Sequence, residues 1–573
     1  MAKAAARLAP VAGLVHGRLD SGAATILWAA AADAPIDAAQ DDIGAAVVFG
    51  DALAPGETGR TGASALRTAW MGPQPTRAAY DGFFAAIALH RDAVVVGTDL
   101  LGLFPLYTAE RDACFIASST PAAFYWHPRF DGGLHVAGLL GYLLTGGSFG
   151  GDTLLQGVRR LDAGVRLRWQ ASTGGVAERV FSWPSGGADS TLSFDAHLER
   201  LDAAQDAAVR RHTAVHPRLS VLLSGGRDSR TLVGCLARTG REASAITLGA
   251  HTDHDATCAA AVARTLKLPH AVHDVAFEQF PEFADRAVVH ERLASGMSSI
   301  HSWAGADALR ATGGAVLSGY VFEIRQISPL PDSRDGMLAW THAHALAPHA
   351  LQALVRSQYR ATVDDVMHAV RTRFTEFAVD VPDPAEASWR WLMAGYARFH
   401  SGQVPWRLSF SAWPVLPILD HELLQVMCSI PREFLSSRRM QDALLRKKFP
   451  ALARLPLDRN ADDLRPLLGR PWSRALAALH ARMPKRAAPA GAIERRYYAR
   501  MYDFDNPGWR LVRARAESGR TAASEWFEPA ALAALVPPPD HAAAHADPIA
   551  QGFAPKSLTG LMRLLSMRSD GEA

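Results

Sequence analysis

The sequence predicts an α/β protein built from two parts. The first part carries short apolar runs broken by Gly, Asp and Arg at strand-like intervals: "AAVVFGD", "FFAAIALH", "AVVVGTD" and "ACFIASS". From residue 219 onward the pattern becomes an alternation of strands and helices, with strands in "LSVLLSGG", "ASAITLG" and "HAVHDV". Alternating β and α units of this length are typical of a doubly wound parallel sheet.

A change of composition marks the boundary between the two parts. The segment "PSGGADST" supplies Pro, Gly and Ser, and a long amphipathic helix in "LSFDAHLERLDAAQDAAVRRH" follows it. We therefore predict one domain over residues 1–175 and a second over residues 190–573. In the first, "HVAGLLGYLLTGG" predicts a helix that glycines end, and beyond about residue 340 the pattern is mostly helical.

Composition excludes several classes of function. Of 573 residues, 60 are Lys or Arg and 57 are Asp or Glu, which is far from the charge of a nucleic-acid-binding protein. No window approaches the roughly 18 to 20 uninterrupted apolar residues of a membrane span. The first residues lack the apolar core and cleavage site of a secretory signal. We expect a cytoplasmic protein that binds neither nucleic acid nor membrane.

The stretch "LLSGGRDS" joins a predicted strand to a predicted helix. Ser224, Gly225 and Gly226 can bring backbone N–H groups close to an anion, and the helix beginning near Ser229 adds its positive end. The hydroxyls of Ser224 and Ser229 can donate to the same anion. The carboxylate of Asp228 beside a phosphate site suits Mg²⁺. In an isolated turn the same residues would suit a helix cap, but the flanking strand and helix favour a site for nucleotide phosphates.

The order S-G-G-x-D-S resembles the PP-loop of ATP pyrophosphatases, which split ATP between the α and β phosphates and hold the pyrophosphate in this loop. The resemblance implies that ATP and Mg²⁺ are the cofactors. It also implies that Leu248 and Gly249, in "ITLG", contact the nucleotide.

Longer stretches resemble the asparagine synthetase B family. "GFFAAIALHRDAVVVGTDLLGLFPLYTAERDACFIASS" and "GDTLLQGVRRLDAGVRLRW" are similar to its amidotransferase-like domain. "DATCAAAVARTLKLPHAVHDV", "GGAVLSGY" and "PILDHELLQVMCSIPREF" are similar to its synthetase domain. The resemblance implies an Ntn-hydrolase-like (class II amidotransferase-like) αββα domain over residues 1–175. Over residues 190–573 it implies a PP-loop ATP pyrophosphatase (adenine nucleotide α-hydrolase-like) domain with a helical extension.

One departure from the family changes the expected reaction. Members that hydrolyse glutamine carry Cys directly after the initiator Met, whereas here Ala2 stands there and no Cys precedes Cys114. Without that nucleophile the resemblance implies an inactive glutaminase domain. Branches that lost the Cys include β-lactam synthetase, carbapenam synthetase and the lasso peptide cyclases, which adenylate a carboxylate and let an amine of the same molecule close a ring. Holding both groups together can contribute about 7 to 11 kcal/mol.

The stretch "VLSGYVFE" carries the second informative pair. In the ring-closing relatives a Tyr follows S-G and assists deprotonation of the amine, and an Asp three residues later binds Mg²⁺. Tyr320 matches the tyrosine, and Glu323 stands at the Asp position as a metal ligand beside Asp228. Asparagine synthetases carry Glu at the tyrosine position, so Tyr320 favours ring closure. A buried strand-end Tyr and a solvated Glu are the alternative.

Two parts of the β-lactam synthetase pattern are missing. Its Glu, about twenty residues before "LD", is replaced by "RFHSGQ", where His400 or Gln403 is the candidate, and its Lys by Ala461. "ARLPLDRN" after "ALLRKKFP" is more similar to lasso peptide cyclases. By that resemblance Arg459 or Lys447 stabilises the adenylate charge, with a solvated surface charge as the alternative.

A lasso peptide cyclase joins the α-amine of a leader-free core peptide to an Asp or Glu side chain. The resemblance implies this precursor peptide as substrate, and a leader-removing cysteine protease and a leader-binding domain as partners. The segment "RRYYARMYDFDNPGWR" can line a peptide cavity, or its aromatic side chains can pack helices together. These side chains are Tyr497, Tyr498, Tyr502 and Trp509.

Three other functions fit the sequence less well. A β-lactam or carbapenam synthetase would act on a small substrate, and a glutamine-independent asparagine synthetase would use free ammonia. A degenerate PP-loop protein would bind its ligand without catalysis.

Overall fold

The computed structural model describes most of the chain. The described residues are 9–22, 24–72, 79–125, 127, 130, 132–147, 149–184, 187–294, 296–297, 299–321, 333–343, 345–379, 381, 383–459, 464–469, 495–543 and 553–569.

Sixteen strands form four sheets in this part of the chain. The antiparallel strands are β1 (Val15–Ser21), β2 (Ala24–Ala30), β3 (Ile36–Asp41), β4 (Gly44–Gly50), β5 (Phe84–His90), β6 (Ala93–Thr98), β7 (Tyr107–Arg111), β8 (Cys114–Ser118), β9 (Arg159–Arg160), β10 (Val165–Gln170) and β11 (Gly174–Arg179). The parallel strands are β12 (Leu219–Leu222), β13 (Ser244–Leu248), β14 (His270–His273), β15 (Ala315–Leu317) and β16 (Trp413–Val415).

The α-helices lie mainly in the second half of the chain. They are α1 (Ala63–Met71), α2 (Ala122–Tyr125), α3 (Val136–Thr145), α4 (Phe194–Ala214), α5 (Arg227–Arg238), α6 (His254–Leu266), α7 (Phe280–Val289), α8 (Trp303–Arg310), α9 (Arg334–Ala343), α10 (Pro348–Leu354), α11 (Arg360–Ala378), α12 (Pro384–Leu392), α13 (Gln403–Leu408), α14 (His421–Ser429), α15 (Arg432–Leu435), α16 (Arg439–Lys448), α17 (Pro450–Ala453), α18 (Tyr497–Tyr502), α19 (Pro507–Ala516), α20 (Arg520–Ala523), α21 (Pro529–Leu535) and α22 (Phe553–Ser569).

The antiparallel part consists of packed layers. Its largest sheet has the order β11-β10-β6-β5-β4-β3, and alternate residues of β4 face opposite sides because side chains alternate along a strand. Ala46 and Val48 pack against α1, whereas Ala45 and Val47 pack against the β1–β2 hairpin. The sheet β8-β7-β9 lies against the same large sheet, where the ring of Phe115 stacks on Trp169 at 5.5 Å.

The parallel sheet has the order β14-β13-β12-β15-β16. From β12 the chain proceeds outward through β13 and β14, then returns to place β15 on the other side of β12. The strand order therefore reverses beside β12. In sheets of this kind ligands bind outside the carboxyl ends of the strands at the point of reversal, where the loops after β12 and β15 lie.

Helix α4 leads into this sheet and is capped at its start. The hydroxyl of Ser193 accepts a hydrogen bond from the amide of Ala196 at 3.2 Å. The buried residues Leu198, Leu201 and Val209 recur at helical spacing, so one face of the helix packs inward. The amphipathic helix that the sequence predicts after residue 191 is confirmed.

The two parts of the chain share one apolar core, and a buried ionic cluster lies at the seam between them. The guanidinium of Arg211 bonds to both Asp81 and Asp420, which are 0% and 3% exposed. His421 Nδ1 lies 2.5 Å from Asp81, and His212 Nε2 lies 3.2 Å from Asp420. Burial acts to raise the pKa of Asp420, but the bonds from His212 and Arg211 outweigh it and hold that pKa below its ordinary value.

Aromatic side chains continue the seam beside the ionic cluster. The ring of Trp413, on β16, lies 5.6 Å from that of Phe83 and 6.3 Å from that of Phe104. The amide of Gly82 donates to the carbonyl of Leu419 at 2.8 Å. The antiparallel part is therefore attached to the parallel sheet at its β16 edge.

The strand and helix types predicted from sequence are confirmed where the structure describes them, and the fold is mixed α/β with a parallel sheet. Helix α5 begins at Arg227 instead of near Ser229, because Gly226 already has the extended backbone of an N-cap. The αββα order of layers and the domain limits at residues 175 and 190 stay predictions. Among the described helices, none has the length and apolarity needed to cross a bilayer.

Replacing Arg211 with Ala is expected to destabilise the seam. The change leaves two buried carboxylates without their guanidinium partner, and breaking a buried ion pair costs about 3 kcal/mol or more. The matched control is Arg210→Ala, since that side chain is 57% exposed and pairs with Asp206 one turn away. Scanning calorimetry should show a clearly lower melting temperature for Arg211→Ala and an almost unchanged melting temperature for Arg210→Ala. Equal melting temperatures for the two variants would show that Arg211 does not stabilise the seam.

Candidate active site

The S-G-G-R-D-S loop lies between the end of β12 and the start of α5, at the reversal of strand order. Gly226 is the N-cap residue, and within the part of the chain that the structure describes no side chain caps the helix. The first backbone N–H groups of a helix have no partner within the helix, and the helix dipole places positive potential there. This end of α5 therefore suits an anion.

Two serine hydroxyls close the loop on itself. The amide of Ser224 donates to the Oγ atom of Ser229 at 3.0 Å, and the two Oγ atoms lie 2.8 Å apart. The amide of Gly226 donates to Ser224 Oγ at 3.2 Å. The loop is thus held by its own serines, and the predicted bonds from Ser224 and Ser229 to phosphate stay predictions.

Gly225 is enclosed by two other parts of the chain, α6 and the segment around Asp458. Its amide donates to Asp255 Oδ1 at 2.7 Å, and its carbonyl accepts from the amide of Asp458 at 3.1 Å. A Cβ atom at this position would lie 2.8 Å from Cβ of Cys258, 2.9 Å from Cβ of Asp458 and 3.1 Å from Cα of Asp255. Glycine is required here by close approach.

Arg230 fixes the segment after α17 against the loop. Its side chain is fully buried and donates to the carbonyls of Leu452 at 3.0 Å, Leu455 at 3.3 Å and Pro456 at 2.5 Å. It also donates to the carbonyl of Gly225 at 3.2 Å. Burial lowers the pKa of Arg230 to about 10, so the guanidinium stays charged at neutral pH.

The segment held by Arg230 brings the predicted residue Arg459 close to the loop. The charge of Arg459 is near enough to contribute to the lowered pKa of Arg230, where burial has the largest effect. Arg459 is half-buried, and its Nη1 atom donates to the carbonyl of Arg465. Its position is compatible with the predicted contact to an adenylate, which stays a prediction.

Asp228 lies on the first turn of α5 and faces two side chains from the α16 region. Gln441 Nε2 donates to its Oδ1 atom at 2.5 Å, and Arg438 Nη1 lies 3.4 Å from its Oδ2 atom. The α-carbon of Gly319 is close as well, because a Cβ added there would lie 3.3 Å from Cβ of Asp228. The loop after β15 therefore meets Asp228.

Tyr320 follows directly on Gly319. It is half-buried and packs against a cluster that includes Val316, Val404 and Leu408, and its amide donates to Ser318 Oγ at 3.4 Å. The loop that carries Tyr320 therefore lies next to Asp228, and the catalytic role of Tyr320 stays a prediction. Glu323, the second predicted Mg²⁺ ligand, lies outside the described residues.

Gly249 ends β13 at the same edge of the sheet. Its φ of +124° is rare for residues with a side chain, and its amide donates to the carbonyl of His273 at 2.8 Å. A Cβ there would lie 2.5 Å from an oxygen of Asp253 and 2.9 Å from the ring of Tyr497. Leu248 and Gly249 thus lie at the predicted edge, and their contact with nucleotide stays a prediction.

The structure does not bring Lys447 to the loop. Its ammonium lies 2.5 Å from a carboxylate oxygen of Asp195, and the lysine side chain is 49% exposed. An exposed ion pair between α16 and α4 explains this lysine, so the alternative of a solvated surface charge is the better interpretation.

His400 is half-buried, and Gln403 lies in the core. Burial lowers the pKa of His400 to about 3, and its Nε2 atom lies 3.4 Å from the hydroxyl of Tyr502. A group with so low a pKa is a weak base at neutral pH. Gln403 is 2% exposed, and no described residue donates a hydrogen bond to its Oε1 atom. Ala461 lies outside the described residues.

The aromatic segment packs mostly inward. Trp509 is 0% exposed, Tyr497 is 7% and Tyr502 is 8%, whereas Tyr498 is 41% exposed. Buried Lys556, on α22, donates to the carbonyl of Tyr502 at 2.6 Å and lies over the rings of Tyr502 and Trp509. Three of the four predicted cavity residues are thus helix-packing aromatics, and Tyr498 alone presents its ring to solvent.

Within the described residues, the one group of three possible metal ligands is Asp81, His212 and Asp420. It lies at the seam, where the guanidinium of Arg211 already bonds to both carboxylates. At the loop, Asp228 offers a carboxylate for Mg²⁺, whereas the carboxylate of Asp255 accepts a hydrogen bond from the amide of Gly225.

Several residues around the loop were missed by sequence reasoning: Arg230, Asp255, Arg438, Gln441 and Asp458. Arg230 directly follows the motif, so its position next to the loop was available from the sequence. Asp255 begins the stretch "DATCAAAVARTLK", but its contact with Gly225 and that of Gln441 with Asp228 depend on how α6 and α16 pack.

Replacing Gly225 with Ala is expected to disrupt the loop. The added methyl group meets three backbone-anchored neighbours closer than 3.2 Å, and overpacking of this kind costs about 1 to 3 kcal/mol. Gly226→Ala is the matched control, because its Cβ would meet only Ser224 Oγ at 3.4 Å. Thermal denaturation should show a large loss of stability for Gly225→Ala and a small one for Gly226→Ala. The opposite order would refute the packing account.

Asp255 is expected to make stability depend on pH. Burial raises the pKa of its carboxyl from 3.8 to about 7, with the nearby charges of Asp458 and Asp253 adding to the effect. Between these two values the folded state binds a proton that the unfolded state has released, so the free energy of unfolding falls as the pH rises. Asp255→Asn keeps the acceptor for Gly225 and cannot ionise.

The melting temperature of Asp255→Asn should therefore exceed that of the unsubstituted protein at pH 8, and the gain should shrink toward pH 5. Asp255→Ala, which removes the acceptor, should be less stable at both pH values. A gain for Asp255→Asn that is equal at pH 5 and pH 8 would rule out a buried ionisable carboxyl.

Comparison with known proteins assigns part of the chain. Residues 200–321 match the family model described as asparagine synthase. No curated protein sequence matches the chain. Among solved structures, glutamine phosphoribosylpyrophosphate amidotransferase from B. subtilis, complexed with ADP and GMP, is 11% identical. That alignment covers 42% of this chain and 63% of the amidotransferase chain, and its TM-score of 0.16 is too low to support a structural argument. The chain carries an asparagine synthase-like domain, and the S-G-G-R-D-S loop and Tyr320 lie within it.

Proposed function

We propose that the protein is an ATP-dependent, AMP-forming carbon–nitrogen ligase that closes a ring within a peptide, as a lasso peptide cyclase does. The observation that carries the proposal is the loop itself. An uncapped helix N-terminus and a close-packed glycine lie at the reversal of a parallel sheet, in an asparagine synthase-like domain. Such a site suits the pyrophosphate portion of a nucleotide.

The first step activates a carboxylate. An oxygen of an Asp or Glu side chain attacks the α-phosphorus of ATP, and an O–P bond forms. The bond from that phosphorus to the bridging oxygen breaks, and pyrophosphate leaves with the electron pair. The first-turn N–H groups of α5 donate to the pyrophosphate oxygens.

Asp228 supplies a carboxylate for Mg²⁺, and Glu323 is the proposed second ligand. When bound, the ion would neutralise part of the phosphate charge. Arg459, near the loop, is the proposed contact to the adenylate.

The second step forms the amide. The N-terminal amine of the peptide attacks the carbonyl carbon of the acyl-adenylate, and a C–N bond forms while the C–O bond to AMP breaks. The amine loses a proton, and Tyr320, which directly follows Gly319, is the residue proposed to help remove it. One carboxylate oxygen leaves in AMP, so the peptide product is lighter by one water.

Two features support a peptide substrate. Tyr320 occupies the position at which ammonia-using asparagine synthetases carry Glu, and the segment "ARLPLDRN" that Arg230 holds is similar to lasso peptide cyclases. A leader-removing cysteine protease and a leader-binding domain are the proposed partners. Because the amine belongs to the activated molecule, its attack is effectively unimolecular.

The test is mass spectrometry of the purified protein incubated with ATP, Mg²⁺ and a leader-free candidate peptide, while AMP is measured in parallel. We expect a peptide lighter by one water and an equal amount of AMP. Asp228→Ala should abolish both products, because it removes the carboxylate at the first turn of α5. Asp195→Ala, which changes a carboxylate that is 69% exposed, should leave both unchanged.

The outcomes separate the alternatives. If AMP forms but the peptide does not lose water, the substrate is a smaller molecule than a peptide, as in β-lactam synthetases. AMP formed only with ammonia and aspartate would indicate an asparagine synthetase. If no carboxylate tested gives AMP, the protein binds its ligand without catalysis.

A further inference from the structure

Arg438 lies beside the loop, and both of its side-chain hydrogen bonds to described residues are long. Arg227 lies 2.5 Å from a carboxylate oxygen of Asp442, and Arg230 is buried against backbone carbonyls. Arg438 Nη1, by contrast, lies 3.4 Å from Asp228 Oδ2 and 3.3 Å from Gln441 Oε1, and its side chain is 31% exposed. A guanidinium carries five N–H donors, so Arg438 retains donors for a further acceptor.

The backbone around Arg438 is strained. Ser437 and Arg438 have φ values of +56° and +58°, in the left-handed region that residues with a Cβ atom rarely adopt. Strain of this kind persists where the surrounding structure enforces it, and it is concentrated at functional sites. Here the strained pair ends directly before α16 and directs Arg438 toward the loop.

Gln441 holds the partner of Arg438 in place. It is 2% exposed and donates to Asp228 Oδ1 at 2.5 Å, so Asp228 keeps one strong hydrogen bond when Arg438 turns to another acceptor. Asp228 belongs to the first turn of α5, and this is the turn whose N–H groups have no side-chain cap. The guanidinium of Arg438 and these N–H groups therefore flank the same space.

We propose that Arg438 binds the pyrophosphate that leaves the α-phosphorus, and this inference rests on the proposed function. The guanidinium donates to pyrophosphate oxygens from the side opposite the backbone N–H groups of α5. Negative charge accumulates on the leaving group as the bond to the α-phosphorus breaks, so a cation at this place lowers the barrier. The strained turn before α16 thus provides the positive charge that Ala461 cannot provide.

The experiment measures pyrophosphate binding directly, without peptide and without turnover. Inorganic pyrophosphate is titrated calorimetrically into the full-length protein in the presence of EDTA, and MgATP is titrated separately. Arg438→Ala should weaken pyrophosphate binding about 10- to 100-fold, the effect of losing a hydrogen bond to a charged group. Arg438→Lys should recover part of the loss.

Arg439→Ala is the matched control. It removes the same charge one residue away, and its guanidinium lies over the ring of Phe194, 4.9 Å from the ring centre. We expect its pyrophosphate affinity to equal that of the unsubstituted protein. An equal loss of pyrophosphate affinity in Arg438→Ala and Arg439→Ala would overturn the proposal, because it would show that only the net charge of the protein matters.

Arg438→Gly separates binding from folding. Glycine adopts positive φ without strain, so the variant should melt no lower than the unsubstituted protein while losing pyrophosphate affinity as Arg438→Ala does. Wild-type pyrophosphate affinity in Arg438→Ala and Arg438→Gly would refute the role of Arg438 and leave the proposed function standing. An unsubstituted protein that binds neither pyrophosphate nor MgATP would overturn both.

Discussion

Gly225 connects the motif to the rest of the molecule. Its amide is held by Asp255 and its carbonyl by Arg230 and by the amide of Asp458, and there is no room for a methyl group on its α-carbon. Two segments that are distant in sequence, together with Arg230 from α5, therefore fix the backbone of this residue. The position of the N-terminus of α5, and with it the direction of its free N–H groups, follows from this packing.

The antiparallel part contributes through the seam. Arg211 lies between two buried carboxylates from opposite sides of it, and Trp413 of β16 packs on phenylalanine rings of the first part. Because β16 pairs with β15, and β15 carries Tyr320 just beyond its end, the seam lies two strands from the loop. Packing in the antiparallel part thus helps to fix the edge of the sheet that supports the site.

Local patterns in the sequence predicted the strands, the helices and the position of the loop, because each depends on residues close together in the chain. The meeting of Asp228 with the loop after β15 was also predictable, since parallel strands place their carboxyl ends at one edge. The ion pair of Lys447 with Asp195 could not be predicted, because it depends on which face of α16 packs against α4. For the same reason the contacts of Gln441 and Arg438 with Asp228, across more than 200 residues, had no signal in the sequence.

The two serine hydroxyls of the loop have a consequence for how a ligand enters. Each hydroxyl carries one proton, and the hydroxyl of Ser229 now donates it to the carbonyl of its own loop, 3.2 Å away at Ser224. If the proposed nucleotide binds here, its phosphate oxygen has to compete for that proton, and rotation about a single C–O bond is enough to transfer the hydrogen bond. The backbone can keep its conformation throughout this exchange. The loop therefore loses its conformational entropy during folding, so ordering it does not weaken the binding of the ligand by much.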